Sequence, residues 1–459
     1  MYFEQFYLPC LSHASYMIGS GGVAAVVDPR RDVDIYLDEA RRRELRIGYV
    51  IETHLHEDFV SGHRELAEVT GAAIYLGARA GAAFRHVPVR DGDLISFGNC
   101  RLEFLETPGH TVESVSVLVT DLECSGEPRA VLTGDTLFLG GAGRPDFFAD
   151  RASRELAALL FRSSRKLMRL PDDVEIWPAH GAGFACDRDS GAELRSTLGK
   201  ERRANSICRI SDPDEFVALL TAGLREPPGY FAADAEINRR GAAALWRLPP
   251  LEPLEPLEVV LLQRGGATVL DTRPERAFEA AYIPGSLHIG LDGRYASWAG
   301  TLLGVGAEVV LFPESLAGLA ESRLRLARVG IERIAGYVRG LDCWVARGLP
   351  FARVARIGAA ELATRLRAVQ VVDVRRPAEF LEGHIKGALP HPLDRLRESS
   401  RHLDPARPVA VYCRDGYRSA IAASLLRLRG FADVADVAGG FLAWEALRLP
   451  MVRPLPAGS

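Results

Sequence analysis

No stretch of this 459-residue chain comes near the ~18 consecutive apolar residues of a membrane-spanning helix, so no membrane partner is expected. Its first residues, Met1-Tyr-Phe-Glu-Gln5, lack the basic start and apolar stretch of a secretory leader. Charge of one sign is lacking too: 56 basic against 60 acidic residues leave a net −4, without the electrostatic footprint of a nucleic-acid binder. Cysteine is scarce, and seven scattered residues make no disulfide framework. They fit a reducing cytoplasm, the expected location. Lysine stands only at Lys166, Lys200 and Lys386, with arginine carrying the remaining positive charge. That bias reads as genome composition. What remains is an ordinary globular make-up, 47% hydrophobic and 25% charged, long enough for roughly three domains at about 150 residues each.

Early in the chain, β-rich runs such as Val23–Val27, Ile47–Ile51, Leu102–Leu105, Ser116–Val119 and Val131–Leu132 alternate with amphipathic stretches. Most end in a polar or Gly-rich segment carrying His or Asp, the pattern of an α/β or αββα domain that presents polar residues at strand ends. A Pro-rich stretch from Leu248 to Pro256 reads as an extended linker. Beyond it the chain repeats itself. Val269-Leu-Asp-Thr-Arg-Pro274 recurs as Val372-Asp-Val-Arg-Arg-Pro377, Val309–Pro313 lines up with Val409–Cys413, and Gly340 and Trp344 with Gly440 and Trp444. This is a tandem duplication in which each copy reads as a small doubly wound sheet. The expected domains are therefore 1–245, 246–352 and 353–459, all α/β: a sandwich followed by two doubly wound copies.

Thr53-His54-Leu-His56-Glu-Asp58-Phe59 directly follows the run ending at Ile51. Pro108-Gly-His110, Thr133-Gly-Asp135 and Pro178-Ala-His180 have the same look, a potential ligand beside small residues that let the backbone turn towards a centre. Two histidines alone would read as surface or capping residues. Four ligand-bearing loops in this order read as a metal site.

The set resembles the metallo-β-lactamase fold, whose motif is T-H-x-H-x-D-H followed by distant His, Asp and His. Zinc hydrolases and iron oxygenases share that fold, so it does not give the chemistry. Phe59 stands where the motif's last His, a second-metal ligand, is usual, which disfavours a dinuclear hydrolase. What remains resembles the persulfide dioxygenase branch. That resemblance implies one Fe(II) per chain on His54, His110 and Asp135, with three open positions for O₂ and a substrate sulfur. Zinc has no redox chemistry with which to activate dioxygen. His56, Asp58 and His180 then become orienting residues or further ligands. Gly143-Arg144-Pro-Asp146 resembles that branch's G-R-x-D signature, so Arg144 either holds substrate or pairs with Asp146.

Val409–Tyr412 reads as a buried parallel strand running into Cys413-Arg-Asp-Gly-Tyr-Arg418-Ser419, with a helix expected from Ala420 to Leu428. A C-x4-R loop between strand and helix curls backbone N–H groups round the sulfur, so the thiol pKa should be depressed. Gly416 permits the turn, and Arg414 and Arg418 add positive charge beside Asp415, Tyr417 and Ser419. This region resembles a rhodanese, which implies that Cys413 carries sulfur as a persulfide with Arg418 beside it. A cysteine-dependent phosphatase is the distant alternative. The first copy has Pro313 in place of the cysteine and resembles a degenerate rhodanese domain, a scaffold or an interface. Self-association through it is left open.

Cys186 and Cys208 could relay sulfur near the metal, with a structural role preferred for each. Cys343 reads as packing, and Cys10, Cys100 and Cys124 as core or turn residues. Together the resemblances imply a persulfide dioxygenase fused to a sulfurtransferase. Its partners would be a small thiol persulfide, O₂, sulfite and thiosulfate, with no nucleic acid. A zinc thioester hydrolase of the glyoxalase II type is the alternative.

Overall fold

The computed structural model describes residues 1–146, 153–181, 194–222, 224 and 226–453. Two compact units emerge: Met1–Pro249 with Ala327–Gly330, and Pro250–Leu326 with Ile331–Ser459. No described helix is long and apolar enough to cross a membrane.

The first unit is built from two six-stranded sheets. One runs in chain order through β1 (Tyr2–Leu8), β2 (His13–Ser20), β3 (Val23–Val27), β4 (Arg46–Ile51), β5 (Ala73–Gly77) and β6 (Val87–Val89). The other contains β7 (Leu94–Phe97), β8 (Cys100–Glu106), β9 (Val115–Asp121), β10 (Pro128–Gly134), β11 (Glu175–Pro178) and β12 (Ser196–Thr197), in the order β12-β11-β10-β9-β8-β7. Alternation along each strand divides its residues between two faces. Tyr16 and Ile18 of β2 join Val27, Ile51, Leu102, Phe104, Val117 and Leu132 in the core between the sheets. Met17 faces the opposite way, into a second core with Val26, Tyr36 and Leu66, where helices Asp34–Arg42 and His63–Thr70 cover the first sheet. Helix Ser153–Leu167 packs its Leu167 with Leu118, Val131 and Ile176 of the second sheet. The result is the expected αββα sandwich.

Strand direction gathers the site. β8 and β10 are both antiparallel to β9, and β11 is parallel to β10, so β8, β10 and β11 all end at one edge. His110, Asp135 and His180 follow those three ends, and the His54 loop follows β4. Gly134, at φ +50°, closes β10 beside that loop: a Cβ there would lie 2.5 Å from Thr53 Oγ1, so only glycine fits.

In the second unit the duplication becomes visible. β13 (Thr268–Asp271), β14 (Leu287–His288), β15 (Val309–Phe312) and β16 (Ile334–Tyr337) form a parallel sheet in the order β14-β13-β15-β16. The next copy contains β17 (Ala355–Ile357), β18 (Gln370–Asp373), β19 (His384–Ile385), β20 (Leu389–Pro390), β21 (Val409–Tyr412), β22 (Val434–Val437) and β23 (Met451–Val452). Five of these form a sheet ordered β17-β22-β21-β18-β20, the first copy's arrangement with β17 added at one edge; β19 and β23 pair separately. Asp271 binds the Arg273 guanidinium, and Asp373 that of Arg375, through buried two-point contacts. Trp344 and Trp444 are both buried, and each donates its indole N–H to the carbonyl six residues on.

Candidate functional site

The loop after β4 buries Thr53, His54, His56, Glu57 and Asp58 together. Thr53 Oγ1 donates its only proton to the Asp28 carboxylate at 2.9 Å, so it must accept from His54 Nδ1, also at 2.9 Å. That fixes the tautomer of His54 and leaves the Nε2 lone pair, which has no hydrogen-bond partner, aimed into the cluster. Burial, reinforced by the neighbouring histidines, holds His54 well below the usual imidazole range and keeps it neutral. His110 Nδ1 lies 2.9 Å from the Arg144 carbonyl, which can only accept, so its Nε2 also faces the cluster. That nitrogen is 3.3 Å from Glu57 Oε2 and 3.6 Å from Asp135 Oδ2. Burial alone would lower His110; the two carboxylates outweigh it and push it up to about 9. A cation would replace that proton. Asp135 is raised by burial to about 7, and its Oδ1 lies 3.6 Å from His180 Nε2, which in turn is 3.7 Å from Asp58 Oδ2. Two imidazoles fixed with lone pairs inward and buried carboxylates beside them fit a divalent metal.

His56 turns elsewhere. Its Nε2 lies 3.3 Å from Asp28 Oδ1 and 3.4 Å from Glu52 Oε2. Burial opposes its charge, but these carboxylates hold it up to about 10, making it the centre of a buried ion cluster. Arg144 makes a two-point pair with Asp146 at 3.0 and 2.7 Å. Phe59 is fully buried, its ring centroid 4.5 Å from His56 and 4.1 Å from His13.

Sequence reasoning passed over four residues here, Glu57, Asp28, Glu52 and His13. Glu57 was the free position of the motif, yet His54, Glu57 and His110 form one of two groups, among the described residues, whose ligand atoms crowd closely enough for an ion. The other is Asp28, Glu52 and His56. His13, at the start of β2, is wholly buried near His56 and His180. A lone histidine at a strand end carries no motif to flag it.

The second candidate lies in the second unit, where β21 delivers Cys413 into a tight loop. Gly416, at φ +128°, donates its N–H to Cys413 Sγ at 3.1 Å, and Ser419 Oγ lies 3.6 Å from the same sulfur. The helix spans Tyr417–Leu428, starting three residues before the expected Ala420, because the loop's own residues make its first turn. Arg418 binds Glu379 through two hydrogen bonds. Arg414 and Asp415 are exposed, and Tyr417 donates its hydroxyl to the Gly290 carbonyl of the first copy at 3.0 Å. The expected depression of the thiol is corrected: burial dominates and pushes Cys413 above its ordinary value, against the opposing pull of Arg418, Ser419 and the Gly416 amide.

Of the remaining cysteines, Cys208 is buried and its thiol pushed by burial to about 12, the profile of an inert core residue. Cys100 is likewise buried and raised to about 12. Cys343, expected as packing, is exposed because the buried face of its short helix is taken by Trp344. Cys186 lies outside the described residues.

Residues 8–180 match the family model of the metallo-beta-lactamase superfamily, and residues 358–447 that of the rhodanese-like domain. A hydroxyacylglutathione hydrolase of Polaromonas sp. is 30% identical over 223 residues, 43% of this chain and 81% of that protein. The mitochondrial persulfide dioxygenase ETHE1 of Homo sapiens is 29% identical over 226 residues, 47% of this chain and 79% of that protein. Among solved structures, a metallo-beta-lactamase from Staphylococcus aureus is 32% identical with a TM-score of 0.66, and the match covers 74% of this chain and 98% of that one.

Proposed function

The chain belongs to the metallo-beta-lactamase superfamily and carries a rhodanese-like domain besides, and from that premise we propose a two-site enzyme of sulfur metabolism. Its first unit oxidises a small thiol persulfide with O₂, and Cys413 moves sulfane sulfur between persulfide, sulfite and thiosulfate. The observation that carries this reading is Phe59. A wholly buried phenyl ring occupies the motif position of a second-metal ligand, which favours one metal ion over the pair that a bridging hydroxide requires.

His54, His110 and Asp135 would hold the metal. Iron(II), when bound, would supply the redox chemistry that activates dioxygen, the four electrons that reduce it coming from the terminal sulfur, whereas zinc has no redox chemistry to offer. The balance is one persulfide, one O₂ and one water giving sulfite, the free thiol and two protons. Thr53 and the Arg144 carbonyl keep the two imidazoles in the metal-binding tautomer.

In the rhodanese-like domain the Cys413 thiolate attacks the outer sulfur of a second persulfide. The substrate S–S bond breaks, the small thiol leaves, and a cysteine persulfide forms. Sulfite then attacks that outer sulfur, and Cys413 departs as thiolate with thiosulfate as product. Every step is reversible, so thiosulfate serves equally as donor. The first copy offers Pro313 at the corresponding strand end and takes no part in the transfer.

The likeness to hydroxyacylglutathione hydrolase favours a second reading, zinc-dependent thioester hydrolysis in the first unit. One measurement separates them: metal content of protein purified without added metal, read with oxygen consumption on glutathione persulfide. About one iron per chain with oxygen uptake supports the dioxygenase. Zinc near two per chain without oxygen uptake overturns it in favour of the hydrolase.

A further inference from the structure

We propose that Glu57 is a fourth protein ligand of the metal held by His54, His110 and Asp135, an inference that rests on the metal site of the reading above. Glu57 occupies a position that the motif leaves open, between His56 and Asp58, and its side chain is only 4% exposed. Its Oε2 lies 3.3 Å from His110 Nε2 and has no hydrogen-bond partner. A buried carboxylate is costly unless a positive group faces it; His110 does so while protonated, and a cation would take that proton's place. The ligand atoms of His54, Glu57 and His110 all lie within 4.8 Å of one another, and the Nε2 of His54 is likewise unbonded. A cation at that point satisfies both.

Asp135 approaches the same His110 nitrogen at 3.6 Å, so one imidazole is flanked by two carboxylates. With Asp135 the set would be two imidazoles and two carboxylates, neutral with a divalent ion, and would leave one open position fewer than a three-ligand face. Glu57 thereby narrows the vacancy to a monodentate substrate, whereas a three-ligand face would admit a chelating one.

The test uses the full chain and cobalt(II), whose visible absorption weakens as coordination number rises. Wild type, Glu57→Gln and Glu57→Asp are titrated with cobalt(II) against a competing chelator, and thermal unfolding of the metal-free forms checks that each is folded. Expected is a loss of at least about tenfold in affinity for Glu57→Gln together with an intensified spectrum. Glu57→Asp keeps the charge but shortens the reach, and the same loss is expected there. Wild-type affinity and spectrum in Glu57→Gln overturn the proposal, and so does wild-type affinity in Glu57→Asp, which would reduce Glu57 to a nearby charge. Should Glu57→Gln not fold, the Glu57→Asp result decides alone. Failure of the wild type to bind metal overturns the metal site itself, a different result from either.

Discussion

Arg418 and Glu379 clamp each other through two hydrogen bonds of 2.7 Å, and the charge of Arg418 also acts on Cys413. The pair is largely withdrawn from solvent, with Arg418 18% and Glu379 25% exposed. Burial works against the Glu379 carboxylate, but the guanidinium prevails and holds it below its usual range. Arg418 therefore does not present a bare positive charge to an anion; its charge is already half spent within the protein.

Glu379→Gln should release that charge. The KM for thiosulfate, a dianion, is expected to fall several-fold, while thermal stability drops by about 1 kcal/mol for a partly exposed pair. Steady-state kinetics beside thermal denaturation read both. An unchanged KM would mean that Arg418 does not meet the substrate.

Cys413→Ser should bring sulfur transfer to background and leave oxygen uptake intact. His110→Ala should do the reverse, cutting bound metal by at least about 10–100-fold while thiosulfate-dependent transfer persists. Oxygen electrode and sulfite assays on the two variants give the answer. Loss of both activities in either variant would refute two separate sites.

Phe59→His rebuilds the family's full motif beside Asp58. Metal per chain, measured on zinc-loaded protein, should rise from about one towards two, at a cost of about 1–3 kcal/mol for a polar ring in a buried apolar place. No rise would remove the weight placed on the phenyl ring.

Asp436 carries a pH signature. It is wholly buried on β22, opposite Val411 and Arg356 of the flanking strands, with Ser419 and Glu279 beside its carboxylate. Burial, with Glu279 and Glu275 adding to it and Ser419 opposing, pushes it up to about 8 from an ordinary 3.8. A carboxyl raised on folding contributes stability in full below its unfolded pKa and loses it as pH climbs through the folded value. Wild-type melting temperature should therefore fall between about pH 4 and 8 relative to Asp436→Asn, which cannot ionise. Parallel melting curves for the two proteins would refute the assignment.

Much of this was legible in the sequence because alternation and loop chemistry act locally. Val23–Val27 and Val409–Tyr412 are strands at the expected residues, and His54, His110, Asp135 and His180 do converge. What escaped is what depends on burial. Glu57 occupies a variable motif position, and only its 3.3 Å approach to His110 distinguishes it from a solvated carboxylate. The Cys413 shift has the opposite sign to the loop's local chemistry because desolvation outweighs the amide and guanidinium beside it. Cys343 fails as a packing residue because its neighbour Trp344 takes the inward direction.

The Glu275 carboxylate, from the first copy, lies 3.2 Å from the place a Cβ at Gly416 would take. Glycine at 416 is thus held twice, by its own backbone angle and by a side chain that entered through the earlier half of a duplication. A side chain at 416 would have to displace the Glu275 carboxylate, so the copy without a cysteine bounds the space around the loop of the copy that has one.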